Sequence, residues 1–335
     1  MNNIFSTFLL ASSFLLALTA CTNEETRTSA GEGQEVRLSF TVDDVQEVTP
    51  RAADTPTDYW HDGNLEKVSI ILKQTDGVAD NAPGKPHYNY VTRWVKQAGN
   101  IWTPLDEQND KMLWKTGSAT EPHEVVRFIA YSPVTTDKIP SDEGTYAEFS
   151  VKENQKDPEA RLESDLVLYA AQADESGKII VNPSTPIKLE HKMCRLALTL
   201  TARNEFGEAG LKIKKVSVSG VQPKAGGGGT PIIVYSEQEE TIAADASAFR
   251  SFIIGPGKQS LVIKVEATDL SATSQADHVY TLSLEKDKEY VAASQYNLQV
   301  FLGKDKVELS SLGVTITPWK EWTPTGAGDD HLETD

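Results

Sequence analysis

The chain is poor in cysteine. Only Cys21 and Cys194 occur among its 335 residues, so no disulfide framework can hold the fold. Basic residues are also short: 32 Lys and Arg stand against 49 Asp and Glu, a formal net charge of −17. That balance argues against nucleic acid as a partner, because neutralising phosphates takes clustered Lys and Arg. It suits an extracellular surface that repels its neighbours until docking is specific. Past the N-terminus, no apolar run approaches the length of a membrane helix.

Chemistry-bearing motifs are missing as well. His61, His87, His123, His191, His278 and His331 are scattered, without the i, i+4 pairing of a zincin helix, so no metal is expected. His191 opens an apolar strand and reads as a core or boundary histidine. There is no Gly-x-Ser-x-Gly elbow and no nucleotide-binding glycine motif. The run Gly226–Gly229 is not followed by Lys-Ser/Thr and reads as a loop. Acidic pairs such as Asp43-Asp44, Glu239-Glu240 and Asp329-Asp330 lie in polar contexts and read as solvated surface. These absences point away from an enzyme, and no cofactor is expected.

What is present begins at Met1. Residues 4–20 are apolar or small, with a dense run Phe8–Leu18, and Cys21 follows directly. The run is the length of a signal-peptide h-region, although Met1-Asn2-Asn3 brings no Lys or Arg. Leu18-Thr19-Ala20-Cys21 resembles the bacterial lipobox, in which the thiol is lipidated and the chain is cut just before it. Residues 1–20 are therefore expected to be a lipoprotein signal peptide, with outer-membrane lipid carried on Cys21. An ordinary secretory signal cut near Ala20 is the alternative. Thr22-Asn23-Glu24-Glu25 looks like the acidic export tag of some Bacteroidetes lipoproteins. Cys194, left without a partner, has apolar alternate neighbours and reads as a buried, inert thiol.

Period-2 alternation recurs along the rest of the chain, as in half-buried strands. Val36, Leu38, Phe40 and Val42 alternate with Arg37, Ser39 and Thr41. Similar runs are Val126–Ala130, Cys194–Leu200, Val279–Leu284 and Tyr296–Leu302. Shorter β-branched runs occur at Val68–Leu72, Leu166–Ala170, Ile232–Tyr235, Phe252–Ile254 and Leu261–Val265. No long segment has a 3.6-residue period. Glu237–Phe249 is the best candidate for a short helix, and Ser141–Tyr146 reads as a turn. Many short strands between turn signals predict an all-β fold of sandwiches. Residues 21–35 read as a polar tether, and Asn182-Pro183-Ser184-Thr185-Pro186 marks the expected boundary between two halves.

Several runs together resemble the Bacteroidetes fimbrillin family, the subunits and accessory proteins of type V pili. They are Val126-Arg127-Phe128-Ile129-Ala130-Tyr131-Ser132-Pro133, Ser164-Asp165-Leu166-Val167-Leu168-Tyr169-Ala170 and Ile187–Leu196. Tyr296–Val300 and the closing Val314–Trp319 complete the set. Glu190, where the family favours an aromatic, and Arg195 depart from its pattern. The resemblance implies two transthyretin-like Greek-key β-sandwiches in tandem, at residues 52–186 and 187–335.

It also implies maturation by an Arg-specific protease. A removable N-terminal piece, residues 21–51, would leave a groove that accepts a strand from another fimbrial subunit. Val36, Leu38, Phe40 and Val42 would be the removable strand, since losing it exposes apolar pockets and unpaired backbone. Arg51, before Ala52 in a small polar stretch, is the expected cleavage site, whereas Arg27 and Arg37 would leave most of the strand attached. The implied localisation is the cell surface, first as an outer-membrane lipoprotein and then in the fimbrium. A surface glycan-binding lipoprotein is the alternative, using Trp60, Trp94, Trp102 or Trp114 to stack on sugars; as core residues these indoles would instead be buried.

Overall fold

A computed structural model describes residues 34–42, 65–74, 91–98, 101–114, 118–134, 149–271, 275–310 and 315–318. Cys21, Arg51, Ala52, Trp60 and the turn expected at 141–146 lie outside these residues. The first sheet holds β1 (Phe40–Val42), β2 (Lys67–Gln74), β3 (Val91–Gln97) and β4 (Ile101–Pro104). It continues through β5 (His123–Ser132), β6 (Val167–Ala170), β7 (Ile179–Val181) and β8 (Ile187–His191), with one short helix, α1 (Pro158–Leu162), before β6. Their spatial order is β1-β8-β6-β5-β2-β3-β4, and β7 pairs with β5.

The C-terminal half contains β9 (Cys194–Ala202), β10 (Leu211–Val221), β11 (Ile232–Ser236), β12 (Glu240–Ile242), β13 (Ser247–Ile254) and β14 (Gly257–Gln259). After these come β15 (Val262–Asp269), β16 (Ala276–Ser283), β17 (Lys288–Tyr290), β18 (Ser294–Leu302), β19 (Val307–Leu309) and β20 (Thr315–Pro318). One sheet runs β11-β10-β15-β16, with β12 also on β10; a second runs β13-β9-β18-β19, with β20 also on β18; β14 and β17 pair in a third, two-stranded one. Leu196, Leu198 and Val300 of one sheet share a core with Ile213, Val218 and Ile263 of the other, which makes this half a sandwich.

The cover on each face explains why the strand sequences differ. β9 lies between β13 and β18, and every residue of CRLALTLTA except Thr199 is buried. β16 has a neighbour on one side only, and buries only Tyr280 fully. A strand covered on both faces reads as an apolar run and one covered on a single face alternates, as the interior strands β10 and β18 also do.

Two expectations need correction. Glu237–Phe249 is not helical: β12 and the start of β13 occupy it, and Asp245 turns between them at φ 59°. The alanines that favour a helix there lose to the open edges of β10 and β9, which both accept a strand. The other concerns Ile187–His191, expected to begin the second sandwich. It is β8 of the first sheet, paired with β1 and β6, so the change of sheet comes between His191 and Cys194.

The halves are also interlaced, and all described residues belong to one compact unit, Gly33–Asp335. Residues 149–155, between β5 and β6 in the chain, bond to strands of the C-terminal half. Val151 N donates to Pro223 O at 2.9 Å, and Gln155 N to Tyr235 O at 2.8 Å. The buried Gln155 amide then acts as a strand residue, donating to Ile253 O at 2.8 Å and accepting from Ile253 N at 2.7 Å. It fills backbone positions on the outer edge of β13.

Candidate functional site

The segment 34–42 is where the fold and the expected function meet. Val36, Leu38, Phe40 and Val42 are each 5% exposed or less, and Arg37 between them faces solvent. Alternation drives this placement, because period 2 sends every second side chain to one face. That face joins a core with Val68, Ile70, Trp94, Phe128 and Leu189. Phe40 meets Trp102 edge-on, with ring centroids 5.2 Å apart.

Its backbone bonds go to β8 and to residues 112–114. β1 runs parallel to β8, with Phe40 opposite Ile187 and Val42 opposite Leu189, and Ile187 N donates to Ser39 O at 2.8 Å. Residues 34–36 bond instead to the stretch that follows β4 in the chain: Val36 N donates to Met112 O at 3.0 Å and Trp114 N to Gln34 O at 2.6 Å. The segment therefore joins the edge of β8 to residues 112–114 and covers part of the first core. Without it, β8 would have an open edge and Leu189 an uncovered face.

Met112 and Trp114 are themselves fixed from below. Gln74 Nε2 donates to Leu113 O at 2.8 Å, and Trp114 stacks on His123 at 3.7 Å between centroids. His123 Nε2 lies 2.9 Å from Ser118 O, and Ala119 N donates to Gln34 Oε1 at 2.5 Å. Sequence inspection does not find these partners, since they come from stretches far apart in the chain.

The described tryptophans do not offer stacking faces. Trp94, Trp102 and Trp114 are 4% exposed or less and fill the first core, as expected of buried indoles. Cys194 is fully buried and its thiol donates to Val291 O at 3.0 Å. Burial pushes the thiol well above its ordinary value, and the charge of Glu289 adds to this. A thiol so held is a poor nucleophile. His191 is buried with Nδ1 3.0 Å from Asp165 Oδ1, a pair that ties β8 to the approach to β6. Arg195 is buried too, with its guanidinium carbon 6.0 Å from the centre of the Phe249 ring. Among the described residues, no group of three or more His, Cys, Asp and Glu could hold a metal ion.

Residues 50–319 match the family model described as fimbrillin-like. The chain belongs to the fimbrillin-like family. Of solved structures, a candidate cell adhesion protein from Bacteroides ovatus superposes with a TM-score of 0.54 at 14% identity, over 88% of this chain and 100% of that one. A second from Bacteroides uniformis gives 0.47 at 17%, over 85% and 99%. The tip fimbrial protein Mfa3 from Porphyromonas gingivalis gives 0.38 at 9%, over 76% and 94%. The Bacteroides ovatus likeness concerns the fold alone, and none of the curated proteins is similar enough to match.

Proposed function

We propose that this fimbrillin-like protein is an accessory or tip subunit of a surface fimbria, assembled by strand exchange after proteolysis. In this reading each half is a transthyretin-like sandwich, and the protein reaches the surface as a lipoprotein held by Cys21. An Arg-specific protease cuts between Arg51 and Ala52, freeing the piece that contains Val36, Leu38, Phe40 and Val42. A strand from a neighbouring fimbrial subunit then takes its place beside β8.

The observation that carries the reading is the burial of segment 34–42 and its pairing with the edge of β8. Burying apolar side chains of this size is worth roughly 1.5–3 kcal/mol each, so four are comparable with the whole stability of a domain. A cut alone does not eject such a segment. Only a donor of equal or better packing displaces it, which makes assembly slow and then hard to reverse. The C-terminus favours an acceptor that does not donate. Of the run Leu312–Ile316, Thr315 and Ile316 belong to β20, which is already paired with β18. The tail 323–335, with Gly326-Ala327-Gly328-Asp329-Asp330, has no apolar alternation to offer.

The test treats the purified chain with an Arg-specific protease in the presence of stalk subunits, with Arg51→Ala as control. The expected result is an SDS-resistant complex from wild type only. Equal assembly by Arg51→Ala ends the maturation reading, and homopolymers of this chain alone end the tip assignment. In cells, Cys21→Ala is expected to leave the membrane fraction and lose its lipid label; unchanged fractionation removes the lipoprotein step.

A further inference from the structure

A polar cleft of about 470 Å³ opens between α1 with the residues before it, β11–β12, and the outer edge of β13. Its volume lies in the range of small-molecule sites. On a chain of net charge −17, its ionisable lining is Lys156, Arg161 and Arg250 against Asp157 and Glu240, a local excess of positive charge.

The charges are arranged in depth. The Arg250 side chain is only 3% exposed, and its guanidinium is charged at any ordinary pH. Nη1 donates to Glu240 Oε2 and to Phe249 O, both at 2.6 Å, and Nη2 to Gln238 O at 2.9 Å. Nε has no partner among the described residues, and neither does the buried Oγ of Ser236 nearby. Arg161 is buried beside them, with Nη1 bonded to the carbonyls of Gln155 and Lys156 at 2.9 Å each. The one carboxylate on Arg250 thus belongs to Glu240, whose side chain is 38% exposed. A buried cation is neutralised by an acid that solvent reaches.

We propose that this cleft binds a sugar acid, whose carboxylate takes the place of Glu240 on Arg250. Guanidinium forks favour carboxylates, and Glu240 leaves to water without stranding a buried charge. The rest of the lining suits a polyhydroxylated body better than a peptide. Ser236, Ser251 and Gln238 supply hydroxyl and amide groups that both donate and accept. Nothing here uses segment 34–42, so the site stands or falls apart from strand exchange.

The test titrates the uncleaved full-length chain with galacturonate, galactose and N-acetylaspartate, read by calorimetry. Galacturonate is expected to bind and the other two not. Removing the internal competitor with Glu240→Gln is expected to tighten galacturonate binding about threefold, and Lys156→Glu to weaken it by a similar factor, as partly exposed charge pairs do. Lys156 is exposed at the rim, so that variant tests the site even where Glu240→Gln lowers stability. Equal binding of galactose overturns carboxylate recognition, and equal binding of N-acetylaspartate overturns the sugar assignment. Galacturonate affinity indifferent to both substitutions, or absent altogether, overturns the site.

Discussion

The two halves close their cores by different means. The C-terminal sandwich is sealed by long strands: β9 and β18 run side by side over eight residue pairs, from Arg195–Gln295 to Ala202–Leu302. The first core is covered in part by segment 34–42, which gives β8 only three pairs and meets residues 112–114 through isolated backbone bonds. A seal of that kind can bury as much apolar surface as a long strand while holding far fewer main-chain bonds. Burial and attachment are separate properties, and the first half combines much of one with little of the other.

The strongest test of that contrast is a pair of core truncations. Phe40→Ala and Phe252→Ala each remove a buried ring and are expected to cost about 3–5 kcal/mol in denaturant unfolding. A synthetic peptide of residues 34–42 should restore most of the loss for Phe40→Ala and none for Phe252→Ala. Equal rescue, or none in either, would mean that segment 34–42 is no more separable than a C-terminal strand.

A smaller effect should separate the halves at alkaline pH. Burial raises Tyr280 to about 12 and pushes Cys194 and Tyr290 higher still, and all three lie in the C-terminal half. Each ionises more readily unfolded than folded, so the unfolded state gives up protons first. Their contribution is fully present below the ordinary thiol and phenol values of 9.0 and 10.0, and is lost as pH rises through the raised ones. Melting followed by hydrogen exchange should therefore show the C-terminal strands weakening above pH 9. Cys194→Ala should blunt the onset of the decline. Labelling of native Cys194 by a thiol reagent should be slow at neutral pH and rapid only on unfolding.

The smallest effect should not distinguish the halves at all. Lys178–Glu124 on the first sheet and Lys264–Glu266 on the second half are both exposed pairs. Removing either lysine is expected to change stability by less than about 1 kcal/mol. A larger loss in one half would place its weakness on the surface rather than at segment 34–42.

Much of this fold was legible beforehand for a physical reason. Runs such as Val36–Val42 and Tyr296–Leu302 alternate because one face is buried, and that pattern needs no knowledge of the partner. What the pattern omits is the partner itself. Nothing in Phe40 announces Trp102, and nothing in Ile187 says that it pairs with Phe40 rather than with the strand after it. Glu237–Phe249 misleads because its alanines report local propensity, while the open edges of β9 and β10 are supplied from elsewhere in the chain. The cleft is hidden for a similar reason: Arg161, Glu240 and Arg250 come together only after residues 149–155 have crossed to the C-terminal strands.

That crossing also bears on how the molecule carries tension. Because Gln155 and its neighbours grip β13, β11 and the loop after β10 while the chain on either side returns to the first sheet, no single linker joins two self-sufficient modules. A pull that spreads the halves must unfasten side-chain and main-chain bonds at the crossing before it can straighten a connection. Expressing 52–186 and 187–335 apart would leave one fragment with a dangling thread and the other with an unfilled edge. The crossing works as a stitch, and a fibre built from such units would stretch by breaking stitches rather than by flexing at hinges.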